Sequence, residues 1–153
     1  MKKINFYYVR HGETIFNVKN LSQGSCDSPL TKKGIEQANK TKELLKDIHF
    51  NKVFSSSSER ATDTAYEGEN RKIFENRIKQ TFQEIVDECD DNDNVLIVSH
   101  RGYFYYMLEA LFDMNLDELE KQNTNYLATL IPNASIARFS FNDGIWKLKK
   151  MPQ

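Results

Sequence analysis

The sequence has little cysteine, proline or glycine: its 153 residues include two cysteines, three prolines and six glycines. The cysteines, Cys26 and Cys89, are too few for a disulfide framework, and neither lies in a C-x-x-C pair or at ligand spacing from a histidine. A chain of this length buries about 68 to 70% of its unfolded surface, so it can build a hydrophobic core without such cross-links. We therefore expect one domain over residues 1–153 and a reducing, cytoplasmic location.

The sequence also lacks an excess of charge of one sign and a long apolar run. Lys and Arg number 21 against 22 Asp and Glu, and the basic stretch at 147–150 is short, so no nucleic-acid partner is expected. The apolar run at 4–9 is too short for a signal-peptide core or a membrane span, so no membrane partner is expected.

Several catalytic and metal-binding patterns are missing as well. There is no G-x-x-x-x-G-K-[ST] loop and no G-x-S-x-G elbow. The histidines, His11, His49 and His100, form no close pair and have no cysteine at ligand spacing, so we expect neither a metal nor another cofactor.

Predicted strands alternate with predicted helices along the chain. Apolar runs predict strands over 4–9, 53–55 and 95–98, the last being a parallel strand covered by helices on both faces. Thr31 is the predicted N-cap of one helix, and the serines at 55–58 precede a short helix over 59–66. The stripe expected to be buried on the first of these helices consists of Ile35, Ala38, Leu45 and Ile48.

A longer helix and a hairpin follow. The stripe on the longer helix consists of Phe74, Ile78, Phe82, Ile85 and Cys89. A further helix begins near Gly102, and segments 136–141 and 145–148 are joined through 142–144 as a hairpin. The expected fold is α/β, with three layers, a mainly parallel central sheet flanked by helices, and a C-terminal hairpin.

Cationic and hydrogen-bonding side chains follow each predicted parallel strand. The first strand ends at Arg10 and His11, Arg60 follows the second, and the third ends at His100. Ligands of open α/β sheets bind beyond the carboxyl ends of the strands, so these side chains are expected at one rim. Taken singly, they have simpler interpretations as structural histidines and solvated arginines. Taken together, and with the amides of a helix after Gly12, they favour a site for a compact, multiply charged anion.

The residues around His11 form a motif. Arg10-His11-Gly12-Glu13-Thr14, followed by Asn17, resembles the signature of the histidine phosphatase superfamily, the phosphoglycerate mutase-like proteins. The similarity continues in order through nearly the whole chain. Its further blocks are Gln23-Gly24, 27–31, Gly34 and 36–38, then 54–56 with 60–61 and 64–65, then 95–100 with Gly102, and finally 133–135 and 144–146.

The resemblance implies a metal-independent phosphatase. In that mechanism neutral His11 attacks phosphorus in line and carries the phosphoryl group as a phosphohistidine, which water then hydrolyses. The substrate would be a phosphorylated small molecule or a phosphoprotein, and phosphate or sulfate would bind at the same site. The residues that the resemblance places around the phosphoryl group and the substrate are Arg10, Arg60, His100, Asn17, Gln23 and Gly24.

Two departures from the family pattern bear on catalysis. Members usually carry a general-acid glutamate and a roofing segment after the Thr-Ala block, and here the chain is expected to be some tens of residues short at that point. Either Glu67 or Glu69 stands in as the acid, or both are solvated turn carboxylates. Arg101 replaces a small residue after the second histidine, and either adds positive charge to the rim or points away.

Two hypotheses from different classes follow. The first is the phosphatase, with a mutase less expected because a mutase needs an enclosed pocket that retains its intermediate. The second is a catalytically weakened phospho-ligand binding or interaction module that has kept the pocket and lost the acid.

Overall fold

The computed structural model describes residues 1–21, 28–56, 71–122 and 131–152. Its central sheet has five strands in the order β2-β3-β1-β4-β5. The strands are β1 Lys3–Arg10, β2 Lys52–Ser55, β3 Asn94–Ser99, β4 Ile136–Asn142 and β5 Ile145–Lys150. β2, β3 and β1 are parallel, β4 is antiparallel to β1, and β5 is antiparallel to β4. The predicted α/β fold with a mainly parallel sheet and a C-terminal hairpin is therefore confirmed.

The helices lie between these strands in the chain. They are α1 Ile15–Val18, α2 Lys32–Leu45, α3 Arg71–Glu88, α4 Arg101–Phe112 and α5 Leu116–Gln122. Thr31 caps α2 as predicted, because its hydroxyl accepts a hydrogen bond from the amide of Gly34 at 2.9 Å. The sequence patterns above do not predict α5, and the helix predicted over 59–66 lies outside the described residues. In the part of the chain that the structure describes, no helix is long and apolar enough to cross a membrane.

The main core lies between the sheet and helices α3 and α4. Alternate residues of β1, namely Ile4, Phe6 and Tyr8, are fully buried on this face. The Phe6 ring stacks on Phe139 of the neighbouring β4 with centroids 5.0 Å apart. The stripe predicted on α3 is confirmed, since Phe74, Ile78, Phe82 and Ile85 are buried, as is Cys89 just beyond the helix.

The opposite face of the sheet is covered less completely than predicted. Leu96 and Val98 of β3 are only half-buried there. On α2, Ile35 is 52% exposed and Ala38 is also exposed, whereas Gly34, Thr41 and Leu45 form the buried face. The expected stripe is therefore wrong at Ile35 and Ala38, because polar and backbone contacts of α2 set its orientation, and Ile48 lies beyond the end of the helix. A cavity of about 460 Å³ lies between α2 and the sheet.

The C-terminal hairpin turns at Asp143 and Gly144, as predicted. Both residues have positive φ, 47° and 87°, which is the conformation that a two-residue primed turn requires. Because β4 of this hairpin pairs antiparallel with β1, the residues that precede β4 lie at the carboxyl end of β1.

Candidate active site

The carboxyl ends of β1 and β3 bring the two predicted histidines together. Arg10 is in register with Ser99, and the amide of His11 donates to the carbonyl of Ser99 at 3.1 Å. Beyond these strand ends, the rings of His11 and His100 approach with centroids 5.2 Å apart and planes inclined by 62°. The juxtaposition follows from parallel pairing alone, because adjacent parallel strands end at the same edge of the sheet.

The imidazole of His11 has a defined tautomer when neutral. Its Nδ1 lies 2.8 Å from the carbonyl oxygen of Gly12. A carbonyl oxygen can only accept a hydrogen bond, so Nδ1 carries the proton. In the neutral ring, Nε2 then holds the lone pair that a nucleophile needs.

Arg10 brings a buried cation to the same edge. The residue is only 7% exposed, and its Nη1 donates to the carbonyl of Ile131 at 2.7 Å. Its amide donates to the carbonyl of Ser135 at 3.1 Å. The segment before β4 therefore holds both the backbone and the guanidinium of Arg10.

The loop after His11 packs against the start of α2 at backbone distance. A Cβ atom added to Gly12 would lie 2.5 Å from the carbonyl oxygen of Gly34, and one added to Gly34 would overlap the carbonyl of Glu13. The amide of Glu13 donates to the side chain of Gln37 at 2.8 Å, and the amide of Thr31 donates to the Glu13 carbonyl at 3.0 Å. Two facing glycines therefore let α2 fix the path of the chain directly after His11.

A reciprocal cap fixes Asn17. The amide of Asn17 donates to the hydroxyl of Thr14 at 3.2 Å, and the amide of Thr14 donates to Oδ1 of Asn17 at 3.0 Å. The cap opens the short helix α1 and holds Oδ1 of Asn17 against the amide of Thr14.

The position of His100 is fixed through its backbone. Its carbonyl oxygen accepts hydrogen bonds from the Tyr8 hydroxyl at 2.9 Å and from the Phe104 amide at 3.2 Å. Burial raises the pKa of Tyr8 far above that of an exposed tyrosine, so the hydroxyl stays protonated and remains a donor. His100 is also the N-cap of α4 without a side-chain capping bond, so its ring is not used for capping.

The other predicted site residues divide into two groups. Arg101 is exposed at the first position of α4. The remaining residues lie outside the described ranges: Gln23, Gly24, Arg60, Glu67 and Glu69. Within the described ranges, no three His, Cys, Asp or Glu side chains are grouped as a metal site would require.

Comparison with known proteins identifies the family. A family model described as the histidine phosphatase superfamily (branch 1) matches residues 6–68 and 65–153. The chain belongs to this superfamily. The two matched segments meet at residues 65–68, which is where the sequence is expected to lack the acid-bearing segment of the family.

Curated relatives match over part of the chain. An adenosylcobalamin/alpha-ribazole phosphatase of Salmonella typhi is 40% identical over 88 residues, which are 58% of this chain and 40% of that protein. The fructose-2,6-bisphosphatase TIGAR B of Danio rerio is 48% identical over 58 residues, 37% of this chain and 23% of that protein. The matched part of the chain thus spans less than half of the length of these relatives.

Solved structures of other proteins share the fold. The phosphoglycerate mutase of Bacillus anthracis str. Sterne superposes with a TM-score of 0.75 at 23% identity, covering 97% of this chain and 92% of that chain. A phosphoserine phosphatase of Entamoeba histolytica, in complex with 3-phosphoglyceric acid, superposes with a TM-score of 0.73 at 20% identity, covering 98% and 97%.

Proposed function

We propose that the protein is a phosphatase that hydrolyses phosphomonoesters or phosphoramidates through a phosphohistidine on His11, with no metal ion. The observation that carries the proposal is the approach of the His11 and His100 rings, 5.2 Å apart, at the ends of two parallel strands. The hydrogen bond from Nδ1 of His11 to the Gly12 carbonyl supports it, because this bond directs the lone pair to Nε2.

Two steps account for the reaction. Nε2 of His11 forms a bond to phosphorus while the bond to the leaving group breaks. The leaving group takes the electron pair of that bond and, where it needs one, a proton from a general acid or from water. Water then attacks phosphorus, the P–N bond breaks with its electron pair returning to Nε2, and inorganic phosphate leaves His11 in its starting form. Arg10, Arg60 and His100 hold the phosphoryl oxygens, and Asn17 donates a further hydrogen bond. Such transfer depends mainly on positioning and charge stabilisation.

The relatives are consistent with this activity. Proteins named as phosphatases of alpha-ribazole, fructose 2,6-bisphosphate and phosphoserine occur among them. The phosphoryl group is common to all of their named substrates, whereas the remainder ranges from a sugar to an amino acid. This range of substrates agrees with a site that binds the phosphoryl group and leaves the remainder of the substrate to be bound elsewhere.

Trapping the intermediate tests the proposal. The protein is mixed with an aryl phosphate, quenched at alkaline pH, which preserves phosphohistidine, and digested for mass spectrometry. We expect phosphorylation on the peptide that contains His11, and neither phosphorylation nor turnover in His11→Ala. His49→Ala is the matched control, because His49 is exposed and only its carbonyl takes part in a described hydrogen bond. Full turnover in a folded His11→Ala protein would rule out the mechanism.

A phospho-ligand binding module is the second candidate. The break in the family match at residues 65–68 favours it, because a chain that lacks the acid-bearing segment would keep the phosphoryl site and lose turnover. In that case vanadate or phosphate would raise the melting temperature, while no phosphohistidine would form with any substrate.

The proposal also predicts how turnover depends on the leaving group. A positioned general acid contributes about 10² to 10⁴-fold for poor leaving groups, so without one the rate should fall steeply as leaving-group pKa rises. Aryl phosphates and phosphoramidates would then be favoured over alkyl phosphates. The measurement is a series of phosphomonoesters with the wild type, Glu67→Gln and Glu69→Gln. A flat dependence that becomes steep in one variant would identify a retained acid.

A further inference from the structure

The amide of Asn17 has only one orientation that fits its neighbours. The side-chain atom that faces the backbone N–H of Thr14 at 3.0 Å must be an acceptor, because that N–H can only donate. This atom is therefore Oδ1, and the –NH₂ group is the other end of the amide. No described residue accepts a hydrogen bond from Nδ2 of Asn17.

The orientation of Asn133 follows from the same logic. One end of its side-chain amide lies 3.2 Å from Oδ1 of Asn17 and 3.3 Å from the carbonyl oxygen of His11. Both neighbours are acceptors, so this end is Nδ2, and its two N–H groups serve one acceptor each. Oδ1 of Asn17 thus accepts from two donors, Thr14 and Asn133, which holds its amide against rotation.

The segment that carries Asn133 is itself held in an uncommon conformation. Ala134 has φ of 57°, a region that costs a residue with a Cβ roughly 1 to 2 kcal/mol. Its amide donates to the His11 carbonyl at 3.0 Å, and its own carbonyl accepts from the hydroxyl of Thr41 at 2.9 Å. The turn is therefore anchored on α2 and presents two donors, from Asn133 and Ala134, to one carbonyl, that of His11.

We infer that Asn133 is a positioning residue for the phosphoryl site, acting through Asn17. By holding Oδ1 of Asn17, it directs the –NH₂ group of Asn17 to an oxygen of the bound phosphoryl group, and it ties this donor to the backbone of the nucleophile His11. The inference rests on the proposed function for the identity of the ligand. Asn133 itself does not contact the phosphoryl group.

A double-mutant cycle with orthovanadate as the probe tests this role. Dissociation constants are measured by calorimetry for the wild type, Asn17→Ala, Asn133→Ala and the double variant. We expect Asn133→Ala to weaken binding about tenfold or more, as expected when a charge-assisted hydrogen bond is lost. Because Asn133 acts through Asn17, the double variant should bind within about twofold of Asn17→Ala. Asn142→Ala, at an exposed asparagine outside the site, should bind like the wild type.

Several outcomes would overturn the inference. Unchanged vanadate binding in Asn133→Ala would show that Asn133 does not act through Asn17. The same conclusion would follow if removing the Asn133 side chain weakened vanadate binding equally in the wild type and in Asn17→Ala. Asn133→Asp should bind vanadate at least as weakly as Asn133→Ala, because a carboxylate cannot donate a hydrogen bond to either acceptor. Wild-type vanadate affinity in Asn133→Asp would also overturn the inference.

A measurement on the wild type covers the case in which the variants fail to fold. Vanadate should shift the side-chain amide resonances of Asn17 in a ¹⁵N-correlated NMR spectrum, and resonances that do not move would overturn the inference. Vanadate binding without phosphohistidine formation would reject the proposed catalysis and leave the role of Asn133 intact. A wild type that binds no vanadate would reject both.

Discussion

Replacing Gly34 by alanine separates intrinsic helix propensity from the packing of the active-site loop. Gly34 lies in the first turn of α2, and alanine is favoured over glycine within a helix by about 1 kcal/mol. Propensity alone therefore predicts a more stable protein. The structure predicts the opposite, because a Cβ at Gly34 would overlap the carbonyl oxygen of Glu13 and lie 3.0 Å from the carbonyl carbon and the amide nitrogen of that residue.

The size of the effect follows from what the new methyl group meets. All three neighbouring atoms are backbone, so no side-chain rotation relieves the overlap, and α2 or the loop after His11 must move. Overpacking of this kind costs typically about 1 to 3 kcal/mol, and we take the upper part of that range. After the gain in propensity, the net loss is about 1 to 2 kcal/mol. This loss corresponds to a fall in melting temperature of roughly 2 to 8 °C.

Thermal melts and vanadate binding together check this prediction. Gly34→Ala should melt lower than the wild type and bind vanadate more weakly, because the displaced loop carries His11 and Asn17. Ala38→Gly, at an exposed position of the same helix, should lose stability through propensity alone and keep wild-type affinity. A Gly34→Ala protein that melts higher with unchanged affinity would refute the packing argument.

Three further predictions concern groups around the core. Tyr8→Phe removes a donor to the His100 carbonyl, so we expect the free energy of unfolding, measured by chemical denaturation, to fall by about 1 kcal/mol and vanadate to bind more weakly. Cys89 is only 3% exposed and burial raises the pKa of its thiol, so a disulfide reagent should react with it much more slowly in the native protein than in the unfolded protein. Burial, and next the hydrogen bond with Glu109, raise the pKa of Glu75. Its proton therefore stabilises the fold below the ordinary glutamate pKa, and this contribution is lost as the pH rises through the folded-state pKa. Glu75→Gln should reduce the dependence of the melting temperature on pH between the ordinary glutamate pKa and the raised pKa of the folded state.

The elements that could be predicted from the sequence are those that depend on local pattern and on pairing rules. The apolar run at 95–98 predicts β3, and parallel pairing with β1 then brings His100 to His11 without further information. Alternation on both sides of Asp143 and Gly144 likewise predicts the hairpin. In each case neighbouring residues, or one general rule about sheets, determine the outcome.

The orientation of α2 could not be predicted in this way. The apolar residues Ile35 and Ala38 suggest one face, but the helix turns another face inward. That face is set by the backbone contact of Gly34 with Glu13 and by the hydrogen bond of Thr41 to the Ala134 carbonyl. Both contacts join segments far apart in the chain, and neither is apolar, so hydrophobic periodicity does not detect them.

The role of Asn133 shows the same limit. The segment 133–135 resembles the closing block of the family, but nothing in its composition indicates that an amide there would face Asn17, 116 residues earlier. The signal available in the sequence is a polar residue directly after Pro132, three positions before the predicted strand at 136–141. Such residues usually serve only their own turn, and here the pairing of β4 with β1 brings this one to the site.

Phosphoryl binding and proton donation are expected from different parts of the chain. The described hydrogen bonds to His11, Asn17 and His100 come from Tyr8, Thr14, Ser99, Phe104 and the turn before β4. The acid-bearing segment that the resemblance implies would instead follow residues 65–68, where the chain is expected to be short and the family match breaks. A change there can remove proton donation and leave those bonds in place. Vanadate affinity should therefore respond to Gly34→Ala and Asn133→Ala, whereas the ratio of aryl to alkyl phosphate turnover should be the same in both variants as in the wild type.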